Sequence, residues 1–230
     1  MRTFVIGDIH GAHKALVQCL QRSGFDRAAD RLIALGDVCD GWPEVGACFD
    51  ELLTLRHLDY IIGNHDHWAM EWATSGRRPE IWTSQGGEAT LVSYGPEGMP
   101  KAHLQLLQKA HWYLLEGNRL FVHGGIDPVK PLPEQPLENF IWDRNLLTLA
   151  QRFSVTDPRF RFGTYEAIFV GHTPTQIFHL SEPVKFCNVW AMDTGAGFSG
   201  KLSIMDLATK EFWQSDPSFE LYPEMKGRMR

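Results

Sequence analysis

Cysteine is scarce in this chain, with four in 230 residues. Cys19, Cys39, Cys48 and Cys187 are isolated from one another, and no C-x-x-C pair occurs, which excludes a thiolate zinc site and a dithiol redox motif. Each is expected to serve as a small buried apolar side chain in a reducing compartment. Long hydrophobic runs are also lacking. Phe4-Val5-Ile6 is far too short for the apolar core of a signal peptide, and no later stretch approaches transmembrane length. The expectation is a cytoplasmic protein with no membrane partner. Positive charge is in deficit: 22 Lys and Arg against 28 Asp and Glu leave a net charge of −6, which argues against a broad grip on a nucleic-acid duplex. Internal repeats and low-complexity tracts are absent.

What is present suits one globular unit. A hydrophobic fraction of 43%, with 8 Trp and 14 Phe, is ample for one sizeable core, and the length fits a single domain over residues 1–230. Thr3 to Ile6 reads as a short buried strand, followed by Ala12, Ala15, Leu16, Cys19 and Leu20 at helical spacing on one face. The unit recurs. Leu32 to Leu35 precedes a polar turn and a helix from Glu44 to Leu55, and Tyr60-Ile61-Ile62 precedes Gly63-Asn64-His65-Asp66. Alternating strands and helices predict an α/β layered fold whose first half is largely parallel. Later, a hairpin is expected over Trp112 to Val122 with its turn at Gly117-Asn118, and another over Val189 to Met205 through a Gly-rich segment. Together these predict a second, more antiparallel sheet.

Five polar motifs sit where apolar segments end: Gly7-Asp8-Ile9-His10-Gly11, Gly36-Asp37-Val38-Cys39-Asp40, Gly63-Asn64-His65-Asp66, His123-Gly124-Gly125 and Gly171-His172-Thr173. Open α/β sheets place ligand sites at strand ends. The donors on offer are carboxylate, amide and imidazole, a set suited to manganese, iron or zinc. Taken singly each motif is weak, because an Asp in a Gly-Asp dipeptide is usually a turn residue. The ordered series of five is specific.

That series, with Ile141-Trp142-Asp143-Arg144 and Met192-Asp193-Thr194-Gly195-Ala196, resembles the phosphoprotein phosphatase branch of the calcineurin-like metallophosphoesterases, in particular the small bacterial and phage-type enzymes. The likeness runs from Phe4 to about Asp206. It implies a sandwich of two mixed β-sheets flanked by helices, with a dinuclear centre at the strand ends. It also implies two divalent cations, manganese first, with iron or zinc as the alternatives. Asp8 and His10 would hold the first metal, Asp37 would bridge, and Asn64, His123 and His172 would complete the second. A bridging carboxylate holds two dications roughly 3.5 to 4 Å apart, where their field activates a trapped water. By the same resemblance His65 is the general acid for the leaving group, Asp40 orients it and raises its pKa, and Arg144 with Asn64 binds the substrate phosphate.

One departure stands out. After G-D-x-x-D the family usually continues Arg-Gly, whereas this chain reads Asp40-Gly41-Trp42-Pro43, so one of two expected phosphate-binding arginines is missing. An arginine restored at 41 would regain grip only if the local backbone accepts a side chain.

Several residues carry two readings. Asp66 either caps the helix that follows or takes part in catalysis. Trp68, Trp72 and Trp82, with Arg77 and Arg78 among them, either cap the site and stack on a base or pack into the core. Asp193 either backs the metal ligands or makes a turn. His13, His57, His67, His103, His111 and His179 lie outside the motifs. The expected activity is hydrolysis of phosphomonoesters, foremost phosphoserine or phosphothreonine in a protein partner. The alternatives are hydrolysis of dinucleoside polyphosphates and, in another class, an inactive phosphate- or protein-binding module.

Overall fold

The computed structural model describes residues 1–225, 227 and 228. Strands β1 (Thr3–Ile6), β2 (Arg31–Ala34) and β3 (His57–Tyr60) alternate with helices α1 (His13–Arg22) and α2 (Val45–Leu53), the predicted alternation, although β3 lies earlier than the apolar run Tyr60-Ile61-Ile62 and shares only Tyr60 with it. A helical region follows: α3 (Asn64–Ser75), a single turn α4 (Glu80–Trp82) running into a wide turn at Thr83–Gly87, α5 (Glu88–Tyr94) and α6 (Lys101–Gln108). Then come β4 (Tyr113–Glu116), β5 (Arg119–Val122), α7 (Leu137–Trp142), α8 (Asn145–Thr156) and β6 (Ala167–Val170). The chain continues with β7 (Val184–Phe186), β8 (Val189–Ala191), β9 (Ser203–Asp206), β10 (Phe212–Gln214) and α9 (Ser218–Leu221). Among the described residues no helix is long and apolar enough to cross a membrane.

Two five-stranded mixed sheets result, ordered β10-β9-β1-β2-β3 and β4-β5-β6-β8-β7. In the first, β1, β2 and β3 are parallel, β9 runs antiparallel to β1, and β10 runs antiparallel to β9. In the second, β5, β6 and β8 are parallel and the two edge strands antiparallel. This corrects two expectations. The second sheet is no more antiparallel than the first, and no hairpin joins Val189 to Met205, because the Gly-rich segment carries the chain from β8 in one sheet to β9 in the other. The hairpin at Gly117-Asn118 is present.

Strand alternation sorts the core. Val5, Ile33, Leu35, Phe121, Phe169 and Met205 point between the sheets, whereas Phe4 and Ile6 face α1, and Leu120 and Val122 face α8. Burial on both faces explains why these strands read as continuous apolar runs. Phe121 and Phe169 stack across neighbouring strands with centroids 5.0 Å apart. Cys19, Cys39 and Cys48 are buried as expected, but Cys187 is only half-buried.

Candidate active site

The carboxyl ends of six parallel strands, three per sheet, meet at one edge of the sandwich. All five polar motifs leave from these ends. Asp8 and His10 follow β1, Asp37 and Asp40 follow β2, Asn64 and His65 open α3 after β3, and His123 and His172 follow β5 and β6. Every one of these side chains is buried. His10, Asp37, Asp40 and His172 all take positive φ, an uncommon backbone for non-glycine residues that marks functional loops. Glycine is required where the backbone brushes the carboxylates: a Cβ on Gly63 would lie 2.0 Å from Asp37 Oδ1, and one on Gly171 would lie 2.3 Å from Asp8 Oδ1.

Two groups have donor atoms close enough to share a cation, Asp8-His10-Asp37 and Asp37-His123-His172, with Asp37 common to both. His10 Nε2 is 3.6 Å and His123 Nε2 3.3 Å from Asp37 Oδ2. Asn64 Oδ1 lies 3.2 Å from His123 Nε2. His10 Nδ1 donates to the Cys39 carbonyl at 2.9 Å and His123 Nδ1 to that of Leu35 at 2.7 Å, which leaves each Nε2 turned inward. This is the arrangement a metal-ligating imidazole needs. His172 Nε2 is buried with no hydrogen-bond partner among the described residues, an omission that costs free energy unless a cation takes the lone pair. The donor set therefore fits divalent metals of the manganese, iron and zinc kind.

Protonation follows from the crowding of charge. Burial pulls His123 down, but the adjacent Asp37 carboxylate outweighs it and raises the imidazole to about 9. Burial likewise works to raise Asp37, yet His123 and His65 hold it well below the usual carboxylate range. Burial and then Asp193 push Asp8 well up, while burial and then Arg228 push His10 well down. Cation binding here must release protons.

Beside this cluster, His65 Nδ1 lies 2.5 Å from Asp40 Oδ2. The carboxylate is anchored by Trp82 Nε1, which donates to Oδ2 at 2.8 Å, and by Thr90 Oγ1, which donates to Oδ1 at 2.6 Å. The expectation that Asp40 raises the His65 pKa is not met. Burial dominates, holding Asp40 up to about 8 and His65 down to about 3. Both directions favour a protonated Asp40 that donates to Nδ1 of a neutral His65, whose own proton then sits on Nε2.

The remaining candidates divide. Arg144, at the start of α8, points back to the His172 carbonyl at 3.1 Å and Thr173 Oγ1 at 3.3 Å. Asp66 is an organiser of the loops: its carboxylate accepts the backbone N–H groups of Asp37, Val38, Cys39 and Gly63 and the Tyr60 hydroxyl. Asp193 accepts the Gly195 N–H at 2.8 Å, as a turn residue does. Of the tryptophans, Trp72 and Trp82 are buried in the core. Trp68 instead sits edge-on to His65 at 5.2 Å and to Trp142 at 5.0 Å, and Trp142 in turn meets His172 at 5.9 Å. His67 turns away against Trp112. The roles of Trp82, Thr90 and Trp142 escaped sequence reasoning, although Trp142 lies two residues before Arg144. Arg228 escaped it altogether.

A family profile described as calcineurin-like phosphoesterase matches residues 1–184. Serine/threonine-protein phosphatase 1 of Salmonella typhimurium is 27% identical over 205 residues, 87% of this chain and 89% of the relative. A symmetrical bis(5'-nucleosyl)-tetraphosphatase of Cellvibrio japonicus is 28% identical over 130 residues, 56% of this chain and 47% of the relative. Among solved structures, one assigned provisionally as a diadenosine tetraphosphatase superposes with a TM-score of 0.70 at 16% identity, covering 93% of this chain and 92% of the other, a likeness of fold. Since the matched span contains all the donor residues of the buried cluster, the chain belongs to the calcineurin-like phosphoesterase family.

Proposed function

We propose that this protein hydrolyses phosphomonoesters, with phosphoserine and phosphothreonine of proteins as the substrate class, at a site built on Asp8, His10, Asp37, Asn64, His123 and His172. The observation that carries the reading is the shared Asp37, with His65 and Asp40 directly beside it. Bound there, two divalent cations, manganese foremost, would supply an activated solvent nucleophile and neutralise charge on the phosphate oxygens. The chain's own residues do the rest. His65 presents Nε2–H to the leaving-group oxygen; as that proton departs, the bridging proton settles on Nδ1 and Asp40 is left as a carboxylate stabilised by Trp82 and Thr90. Arg144 offers a planar guanidinium to the non-bridging oxygens. The protein phosphatase among the relatives supports the substrate class, because the alignment spans nearly the full length of both chains.

A second reading rests on the exposed edge of the Trp68–Trp142 pair, a surface on which a nucleobase could stack, and on the bis(5'-nucleosyl)-tetraphosphatase relative. Phosphate release from a phosphopeptide panel, measured in parallel with cleavage of diadenosine tetraphosphate under manganese, separates the two. Preferred turnover of the dinucleotide would overturn the first reading, and no turnover of either with metal bound would favour the inactive module.

A further inference from the structure

The position that lacks an arginine is not empty of guanidinium. Gly41 has φ +85, and a Cβ there would meet His10 Cβ at 3.1 Å and Arg228 Cγ at 3.4 Å. The space that a side chain on residue 41 would enter is thus filled by the stem of Arg228, from 187 residues later in the chain. Its guanidinium reaches the site: Nη1 donates to His10 Nε2 at 2.9 Å, Nε donates to the Gln85 carbonyl at 3.1 Å, and the group lies over the Phe198 ring at 4.9 Å.

The approach is built rather than incidental. After α9, Tyr222 stacks on Trp42 with centroids 5.0 Å apart, and its hydroxyl bonds Glu44. Trp42 is fixed by its own Nε1, which donates to the Ala196 carbonyl at 2.7 Å. Gly227 then passes so close to Trp42 that a Cβ would lie 2.6 Å from the indole, and the Arg228 N–H donates to the Gly197 carbonyl at 2.8 Å. Gly41 and Trp42, the two residues that stand where the family writes Arg-Gly, are those that make room for this segment and hold it.

His10 Nε2 has one lone pair. A cation that takes it releases Nη1, while Nε keeps Gln85, so the guanidinium stays at the rim with donors unspent. Arg228 also borders a cavity of about 380 Å³ with Gly41, Pro43, Ser84 and Val92, which gives it room to shift. From the juxtaposition of Arg228 with His10, Gly41 and the anchored Gly227 turn, we propose that Arg228 is a phosphate-binding residue that partners Arg144 across the metal cluster. The inference rests on the metallophosphoesterase reading of the site and is independent of which ester is cleaved.

Inorganic phosphate is the probe, with the manganese-loaded protein, read both by calorimetric binding and by competitive inhibition of para-nitrophenyl phosphate turnover. With the protein kept saturated with manganese, Arg228→Ala should weaken phosphate about ten- to a hundredfold, and Arg228→Lys, which keeps the charge but loses the planar fork, should fall between. Tyr222→Ala, which frees the segment from Trp42, should reproduce part of the loss with Arg228 intact. Phosphate affinity within twofold of wild type in Arg228→Ala overturns the proposal. So does tighter manganese binding with phosphate unchanged, which would make Arg228 only a counter-cation of the metal-free cluster. Failure of the phosphopeptide reading would show instead as wild-type inactivity on phosphopeptides with phosphate binding intact.

Discussion

Replacing Asp40 by Asn changes one atom and tests how the acid is set. Trp82 Nε1 donates to Oδ2 and Thr90 Oγ1 donates to Oδ1. In the variant the indole N–H requires an acceptor at the Oδ2 position, so the amide oxygen sits there and the NH2 faces Thr90, whose hydroxyl can rotate to accept. His65 Nδ1, 2.5 Å from that oxygen in the parent, must then carry the proton, leaving Nε2 bare. The tautomer is wrong for proton donation, and general acid catalysis of about 10² to 10⁴, or about 3 to 5 kcal/mol of barrier, is lost where the leaving group needs a proton. The assay compares kcat/KM for phenyl phosphate and para-nitrophenyl phosphate, with bound metal counted by elemental analysis. A loss of at least a hundredfold on the first and under about tenfold on the second is expected. pH supplies a second arm. Burial holds the Asp40 proton up to about 8, so it is present below that pH and lost above it. Once it is gone the remaining proton moves to Nδ1, and wild-type turnover of phenyl phosphate should fall as pH rises through this range, at lower pH when dications are bound. Asp40→Asn should show no such limb. Equal losses on both esters at full metal content would refute the reasoning.

Asp37→Ala removes the carboxylate common to both donor groups and should abolish metal binding and turnover together; two metals per chain with normal turnover would sink the assignment. His65→Asn should copy the leaving-group selectivity of Asp40→Asn, and a uniform loss on both esters would count against His65 as the acid. Arg144→Ala should lower kcat/KM by roughly ten- to a hundredfold through the loss of a charge-assisted contact of about 1.5 to 3 kcal/mol, and a change within about twofold would place the phosphate elsewhere. Phe121→Ala opens a cavity between the sheets and should cost about 3 to 5 kcal/mol in denaturant unfolding, and a loss below about 1 kcal/mol would mean that the inter-sheet packing collapses around the gap.

The parts legible in advance were those written locally. Runs such as Phe4-Val5-Ile6 and Leu32-Ile33-Ala34 betray strands covered on both faces, and the glycine-flanked Asp and His residues mark where such strands end. The segment from Met192 to Leu202 reads as a hairpin turn because Gly195, Gly197 and Gly200 carry turn signals, and nothing local reveals that the flanking strands join different sheets. Trp82 and Thr90 reach Asp40 across 42 and 50 residues, so no spacing announces them. A buried indole N–H needs an acceptor, and the carboxylate supplies it. Sequence shows the carboxylate beside His65 but not the depth at which both groups lie, and burial sets the direction of the His65 shift. Gly41→Arg would force a side chain into a left-handed backbone against His10.

The five donors gathered by the Asp66 carboxylate tie the loop that carries Asp37 to the turn that carries Asn64 and His65. The Asp37 loop takes these bonds from a segment 27 to 29 residues away, so cation binding is a property of the assembled tertiary structure, unavailable to a chain whose β3–α3 junction has opened. Ligation and cooperative unfolding are therefore thermodynamically linked: each tenfold increase in free manganese above its dissociation constant should stabilise the native state by about 1.4 kcal/mol per site. The midpoint of unfolding then becomes a titration of the metal centre, measurable without any substrate, and Asp66 is the residue through which local opening and loss of metal become one event.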